Sequence, residues 1–199
     1  MSPLSASLSA AALALGLPSL LALAGYGAAA VVNERFGSGL RTALLIGWIA
    51  HAVAICVDIA GIGSEVVAAR FGFAPALSMT VWLVLAVYLV ESRFVPLPGA
   101  RRTLAVLAIG VVALAWMFPG EIRPTAPSRW APLHWALGIA SYGLFGAAVL
   151  HAAMLNRAER LMRPGAAAAI DVNEGMPLLR LERMTFRFVG AGFVVLSAA

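Results

Sequence analysis

Histidine is the residue type with the most versatile chemistry in this chain, because an imidazole can bind a metal or move a proton. Two of the three histidines, His134 and His151, lie in one apolar segment, Ala131 to Leu155, that is about as long as a bilayer is thick. An ionisable side chain at membrane depth costs free energy, so it tends to face a bundle interior, a cavity or a ligand such as a metal or haem. This segment is therefore the first candidate for a functional site.

His134 occupies a distinctive face of the predicted helix. Gly138, Ser141 and Phe145 follow it on the same face, and Tyr142 lies beside that face. The face combines one nitrogen that can bind a metal, small residues that permit close approach, and an aromatic floor. It is therefore a candidate ligand-binding surface.

The other two histidines have different surroundings in the sequence. His151 lies about 25 Å beyond His134 along the helix axis and on another face, which indicates an interfacial or interhelical hydrogen-bonding residue. His51 lies midway through the second apolar run. It is either a ligand or a neutral imidazole bonded to a neighbouring helix, and both interpretations stay open. Asp58 and Glu65, further along the same run, either carry protons or are solvated.

The composition assigns the chain to the membrane. Hydrophobic residues make up 62% and charged residues 12%, and the mean hydropathy is +0.92, far from the range of soluble proteins. No nucleic-acid-binding motif occurs, so the sequence does not support a nucleic-acid partner. The motifs HExxH, GxSxG and the P-loop are also absent from the sequence, so it does not support hydrolase or nucleotide chemistry. The lone Cys56 excludes an intramolecular disulfide, and we interpret it as a small core residue.

The apolar runs predict an all-α fold, a polytopic transmembrane helix bundle in which residues 1–199 form a single domain. Five runs are complete spans, and the sixth would rise only about 21 Å against a hydrocarbon core of about 30 Å. We therefore expect the sequence to be a fragment of a longer protein, with a partial sixth span. The predicted runs are Leu4 to Val32, Leu44 to Ile62, Pro75 to Val90, Leu104 to Met117, Ala131 to Leu155 and Phe186 to Ala199.

The positive charge is carried by arginine alone, and its distribution predicts the orientation. Most arginines follow the first, third and fifth runs, while the alternate loops hold only Arg70, Arg123 and Arg129. Basic residues favour cytoplasmic loops, so the N-terminus is predicted outside a bacterial inner membrane. Trp130 and Trp135 then lie at the headgroup level of the outer face.

Three stretches resemble a known family, the haem-handling cytochrome c assembly proteins of the CcsA/CcmC type. The segment Pro132 to Tyr142, with His134 followed by tyrosine, resembles the family's histidine on the periplasmic side. Leu181 to Leu196 resembles the span before the family's tryptophan-rich loop. Gly72 to Trp82, together with His51 and its neighbour Ala52, resembles the HemX/YpjD branch. The tryptophan-rich loop would lie beyond Ala199.

The resemblance implies haem as the cofactor and a role in haem delivery or chaperoning, without catalysis. His134 and His51 would bind the haem iron, with Tyr142 and Trp135 beside the cofactor, and the partners would be other cytochrome c assembly proteins or an apocytochrome. Because His134 and His51 lie at different depths, the partner of His134 is expected in a later segment. The alternatives are a small-solute or ion transporter, in which both histidines line a polar path, and a structural subunit of a membrane complex.

Overall fold

The chain is helical in the computed structural model, which describes residues 3–32, 37–59, 69–94, 99–123, 130–161 and 178–199. The predicted all-α class is confirmed for these residues, apart from one short two-stranded ladder that the apolar runs did not predict. The elements in chain order are α1 (Pro3–Val31), α2 (Gly37–Ile59), β1 (Ala69–Phe71), α3 (Phe73–Glu91), α4 (Ala100–Met117), β2 (Glu121–Arg123), α5 (Ala131–Leu161) and α6 (Leu178–Ser197).

Four helical segments of the described chain are long and apolar enough to cross a membrane. They lie in α2, α3, α4 and α5, as Gly39–Ile59, Phe73–Glu91, Ala100–Met117 and Leu133–Arg160. Within α1, Gly16–Val31 is a shorter apolar segment. The described chain is therefore helical, as predicted, and contains four helices that could span a membrane.

The last helix differs from its prediction. It begins at Leu178, eight residues before the predicted start at Phe186, and contains 20 residues. At 1.5 Å per residue this helix rises about 30 Å, so the short length expected from the apolar run was wrong for the helix itself. The first two turns of α6 contain Arg180, Glu182 and Arg183. Because these charged residues lower the local hydropathy, hydropathy alone places the start of the helix at the later apolar residues.

The chain forms two compact units. The first contains Met1–Trp82 and Arg102–Ser128, and the second contains Leu83–Arg101 and Arg129–Ala199. The first unit thus includes α1, α2, the ladder, the beginning of α3 and most of α4. The second includes the end of α3 with α5 and α6.

In the first unit, α1 packs closely on α2 where glycines meet. A Cβ atom built on Gly25 would lie 2.7 Å from the Cα atom of Gly47, so the two helix backbones are almost in contact. Small residues permit such approach between membrane helices. Gly25 is therefore a position at which α1 and α2 approach each other closely.

The ladder joins the segments that follow α2 and α4. Strands β1 and β2 are antiparallel, with Arg70 paired to Ile122 and Phe71 to Glu121. Gly120 precedes β2 with a φ of +83°, a left-handed conformation that glycine adopts without a Cβ penalty. The pairing places the end of α2 and the end of α4 at the same end of the first unit, as alternating spans require.

In the second unit, α5 packs on α6 and on the end of α3. Gly143 approaches Leu83 so closely that a Cβ atom would lie 2.7 Å from the leucine Cβ, and Gly192 of α6 lies against the Phe145 ring. These contacts hold α5 in the centre of the unit. Gly143 therefore permits the close approach of α3 to α5.

Cys56 was predicted as a core residue, and this was wrong, because its side chain is exposed. A membrane-spanning helix can direct an apolar side chain toward lipid without the penalty that water would impose, so apolar character does not indicate a core position. The pair Pro164 and Gly165, which favours a break of the helix that follows the fifth run, lies outside the described residues, as does the acidic candidate Glu65.

Candidate functional site

His51 of α2 is buried and bonded through both ring nitrogens. Only 1% of the residue is exposed. Its Nδ1 atom lies 3.1 Å from the Tyr26 hydroxyl of α1, and its Nε2 atom lies 2.7 Å from the Ser78 hydroxyl of α3. A neutral imidazole donates from one nitrogen and accepts at the other, so both bonds can form together. This geometry corresponds to the interhelical interpretation of His51.

A pair of tryptophans fixes the distance between α2 and α3 one turn away from His51. Trp48 and Trp82 stack with ring centroids 4.8 Å apart and an interplanar angle of 7°. Each indole N–H donates to the backbone carbonyl of the other residue, at 3.1 Å and 3.0 Å. Two successive contacts, Trp48 with Trp82 and His51 with Ser78, therefore join the antiparallel helices.

The segment Gly72 to Trp82 of α3 thus lies against α2, where Ser78 contacts His51 and Trp82 contacts Trp48. Sequence reasoning singled out His51 but missed Ser78 and Tyr26 as its partners. The only available signal was a hydroxyl group within an otherwise apolar run, which does not identify its partner.

His51 also lines a cavity of about 220 Å³ in the first unit. One face of α2 forms a wall with His51, Ala54, Ile55 and Asp58, which are spaced at intervals of three and four residues as on a helix surface. Arg70 of β1 joins the lining from the end where α2 terminates. The other polar lining residues are Ser19 and Ser78, and the apolar walls include Met79, Val112 and Trp116.

His134 lies in the second unit and is exposed. Its Nδ1 atom is hydrogen-bonded to the backbone carbonyl of Ala199, and since a carbonyl only accepts, Nδ1–H is the donor. No described residue forms a hydrogen bond with Nε2. A histidine held through Nδ1–H to a carbonyl, with Nε2 open, is the usual arrangement of a metal-binding imidazole.

The surface beside His134 is open and aromatic. Trp135 is 38% and Tyr142 is 60% exposed, and both lie roughly 80–100° around the helix from His134. Gly138 lies between His134 and these two aromatic residues, at roughly 40°, and a Cβ atom built there would meet nothing within 4 Å. These four residues therefore share one open surface of α5 with a shallow recess where Gly138 lacks a side chain, and we call this surface the α5 groove.

His151 is fully buried in the second unit, in a different environment. Its Nε2 atom lies 3.0 Å from Oε2 of Glu91 in α3, and its Nδ1 atom lies 2.8 Å from the Ala147 carbonyl. Its ring centroid is 5.1 Å from that of Phe188 in α6. The interhelical role expected of His151 agrees with these contacts, whereas sequence reasoning did not recognise Glu91 as its partner.

The histidines thus do not form one cluster. His51 belongs to the first unit, and His134 and His151 lie far apart on one helix of the second. Among the described residues, no group of three or more histidine, cysteine, aspartate or glutamate side chains has the geometry of a metal site.

Comparison with protein-family models, with curated proteins and with solved structures found no match to this chain.

Proposed function

We propose that this protein handles haem in a bacterial inner membrane during the assembly of c-type cytochromes, and that it delivers or chaperones haem without catalysing a reaction. The proposal is supported by the resemblance of the segments around His134, His51 and Leu181 to cytochrome c assembly proteins. The observation that carries it is the geometry of the exposed His134, whose Nδ1 is hydrogen-bonded to a carbonyl while Nε2 has no hydrogen-bond partner among the described residues.

The α5 groove suits the edge of a flat apolar ligand. His134 would ligate the haem iron through Nε2, because imidazole is a common axial ligand. The missing side chain at Gly138 leaves room for a ring system beside the helix backbone. The exposed Trp135 and Tyr142 offer aromatic surface on the same side. When bound, haem supplies the iron porphyrin that an apocytochrome must receive.

His51 fits a haem ligand less well. Both of its ring nitrogens are engaged, so it would have to give up its bond to Ser78 or Tyr26 before it could bind iron. The adjoining cavity of about 220 Å³ is also too small for a porphyrin. A cavity of about 150 Å³ holds a single benzene, and a porphyrin is several times larger than benzene. A second ligand for the haem iron would therefore come from outside the first unit. An apocytochrome or another assembly protein would receive the haem.

Replacing His134 by alanine is expected to reduce haem binding at least about tenfold, since even second-shell changes at metal sites cost about 10–100-fold. The measurement is the Soret absorbance of protein purified in detergent and titrated with haem. Added imidazole should restore part of the spectrum, because it refills the vacated axial position. Val149→Ala is the control, because Val149 is an exposed residue of the same helix that lies far from the groove.

A second variant tests the groove without touching the ligand. Gly138→Leu should fill the space beside His134 and weaken haem binding, while Gly110→Leu, at a helical glycine of α4 that is equally open, should leave haem binding unchanged. If His134→Ala and Gly138→Leu both retained haem with an unaltered spectrum, the proposal would be wrong.

The proposed orientation places the N-terminus outside. Eleven arginines, among them Arg102 and Arg163, lie in or beside the loops that would face the cytoplasm. Reporter fusions after Arg102 and after Arg163 should therefore report a cytoplasmic location. A fusion after Arg123, which lies at the ladder end of the first unit, should report the periplasm. A periplasmic signal at either of the first two positions would overturn this orientation.

A further inference from the structure

The cavity of the first unit carries two opposite charges that have no salt bridge within the described part of the chain. Asp58 lies one residue before the end of α2, and Arg70 lies in β1. Both side chains line the cavity of about 220 Å³ and both are only half-buried. The Arg70 guanidinium lies within electrostatic reach of the Asp58 carboxylate. Because no described salt bridge joins the two groups directly, each can also pair with an opposite charge on a ligand.

The charges lie at one end of the cavity, and neutral polar groups lie at the other. His51 precedes Asp58 by seven residues, so the two side chains lie on the same helix face about 10 Å apart along the axis. The His51 end holds the Ser78 hydroxyl, which is bonded to Nε2 of His51. Ser19 lies seven residues before Tyr26, the α1 partner of His51, and so lies about 10 Å toward the Asp58 end. Met79 and Trp116 add apolar surface. Ligand sites in proteins commonly combine such apolar walls with a few placed polar groups.

We propose that this cavity binds a small zwitterion of amino-acid size, with its ammonium group at Asp58, its carboxylate at Arg70 and its apolar portion against Met79 and Trp116. One acidic and one basic side chain give the lining no net charge, so a neutral molecule with two separated charges matches it better than an anion or a cation. The volume exceeds the roughly 150 Å³ that suits benzene, which allows a branched aliphatic side chain.

This site is independent of the proposed haem function. It is built only from residues of the first unit, whereas the α5 groove belongs to the second unit, and it is too small for a porphyrin. With the N-terminus outside, the Asp58 end lies toward the periplasm, because the ladder that carries Arg70 joins the periplasmic loops. A zwitterion would then enter from that side.

The experiment uses three ligands that share one aliphatic chain and differ in charge. L-leucine carries both charges, 4-methylpentanoate lacks the ammonium group, and 3-methylbutylamine lacks the carboxylate. Binding to the full chain in lipid nanodiscs is measured by calorimetry. L-leucine is expected to bind at least about tenfold more tightly than either analogue, because each lost charge-assisted hydrogen bond is worth a factor of that order.

Two substitutions assign the charges to their partners. Asp58→Asn should abolish the preference for L-leucine over 4-methylpentanoate, and Arg70→Gln should abolish its preference over 3-methylbutylamine. Glu159→Gln and Arg93→Gln, at exposed positions outside the cavity, are the matched controls and should change neither preference.

A third substitution tests the cavity itself if the charge variants fold poorly. Ala54 lines the cavity, so Ala54→Leu should fill it and remove L-leucine binding. Ala50→Leu, on the same helix but outside the lining, should not. Equal binding of L-leucine and 4-methylpentanoate, or no binding of any of the three ligands, would overturn the proposal, as would L-leucine binding that survives Ala54→Leu. The His134→Ala variant, which is expected to lose haem binding, should still bind L-leucine.

Discussion

Replacing either Glu91 or His151 by leucine is expected to lower the free energy of unfolding by about 3–5 kcal/mol, the cost of removing one partner from a buried charged pair. The His151 side chain is fully buried and that of Glu91 is 15% exposed, with 3.0 Å between Nε2 and Oε2. Phe188 lies against the imidazole, so water cannot readily replace the lost partner.

The number of protons in this pair follows from its geometry. His151 Nδ1 faces the carbonyl oxygen of Ala147 at 2.8 Å, and a carbonyl only accepts hydrogen bonds, so Nδ1 carries a proton. The contact between Nε2 and Glu91 needs one further proton, on the imidazolium or on the carboxylic acid. In either case, a single substitution leaves the remaining group without its partner. The range of about 3–5 kcal/mol applies to the ionised pair, in which a charge is left buried, while a neutral pair would lose about 1–3 kcal/mol.

The double variant, with leucine at both Glu91 and His151, separates pairing from packing. Two apolar side chains can fill the space without an unpaired polar group, so the double variant should be more stable than either single variant. The measurement is the unfolding midpoint in mixed detergent micelles. Glu159→Leu, at an exposed position of α5, is the control and should change stability little. Strictly additive losses in the double variant would show that the two side chains do not stabilise each other.

The helices could be predicted because their evidence is local. Each of the first five helices coincides with an apolar run long enough to be recognised by length and composition. The ladder could not be predicted, since Ala69–Phe71 and Glu121–Arg123 contain only three residues each and lie about fifty residues apart. Such short strands are specified by the helices that bring them together.

The partners of the site residues could not be predicted, because membrane helices are apolar on all sides. In a soluble helix, an apolar stripe identifies the buried face, but here lipid-facing and buried positions have the same character. Cys56 is exposed and Tyr26 is buried, the reverse of their usual behaviour in water. The sequence therefore indicated that His51 needs a partner at membrane depth, but not that Tyr26 and Ser78 provide it.

Replacing Gly25 by alanine adds one methyl group. We expect it to destabilise the first unit more than a change of that size at any other position of α1. A Cβ atom there would lie 2.7 Å from both Cα and N of Gly47 and 2.8 Å from the Ala43 carbonyl oxygen. All three are backbone atoms, so no side chain can rotate away and the two helices must separate. Overpacking in a core costs about 1–3 kcal/mol, and we expect at least the upper end of that range.

The glycines of α1 and α2 supply a graded series of controls. Gly27→Ala should be neutral or slightly stabilising, because a Cβ atom there meets nothing within 4 Å and alanine favours a helix. Gly47→Ala should lie between the two, since its nearest contacts are at 3.0–3.1 Å and include the movable Tyr26 ring. Apparent melting temperatures in detergent should follow the order Gly27→Ala, Gly47→Ala, Gly25→Ala from highest to lowest.

The effect of Gly25→Ala should also reach the cavity. Tyr26 follows Gly25 in the chain, and its hydroxyl lies 3.1 Å from Nδ1 of His51, so separating α1 from α2 lengthens or breaks that bond. Ser19, the residue of α1 that lines the cavity, would move with it. We therefore expect Gly25→Ala to weaken L-leucine binding together with stability, while Gly27→Ala preserves both. If Gly25→Ala melted at the temperature of the natural chain, the close crossing of α1 and α2 at Gly25 and Gly47 would be wrong.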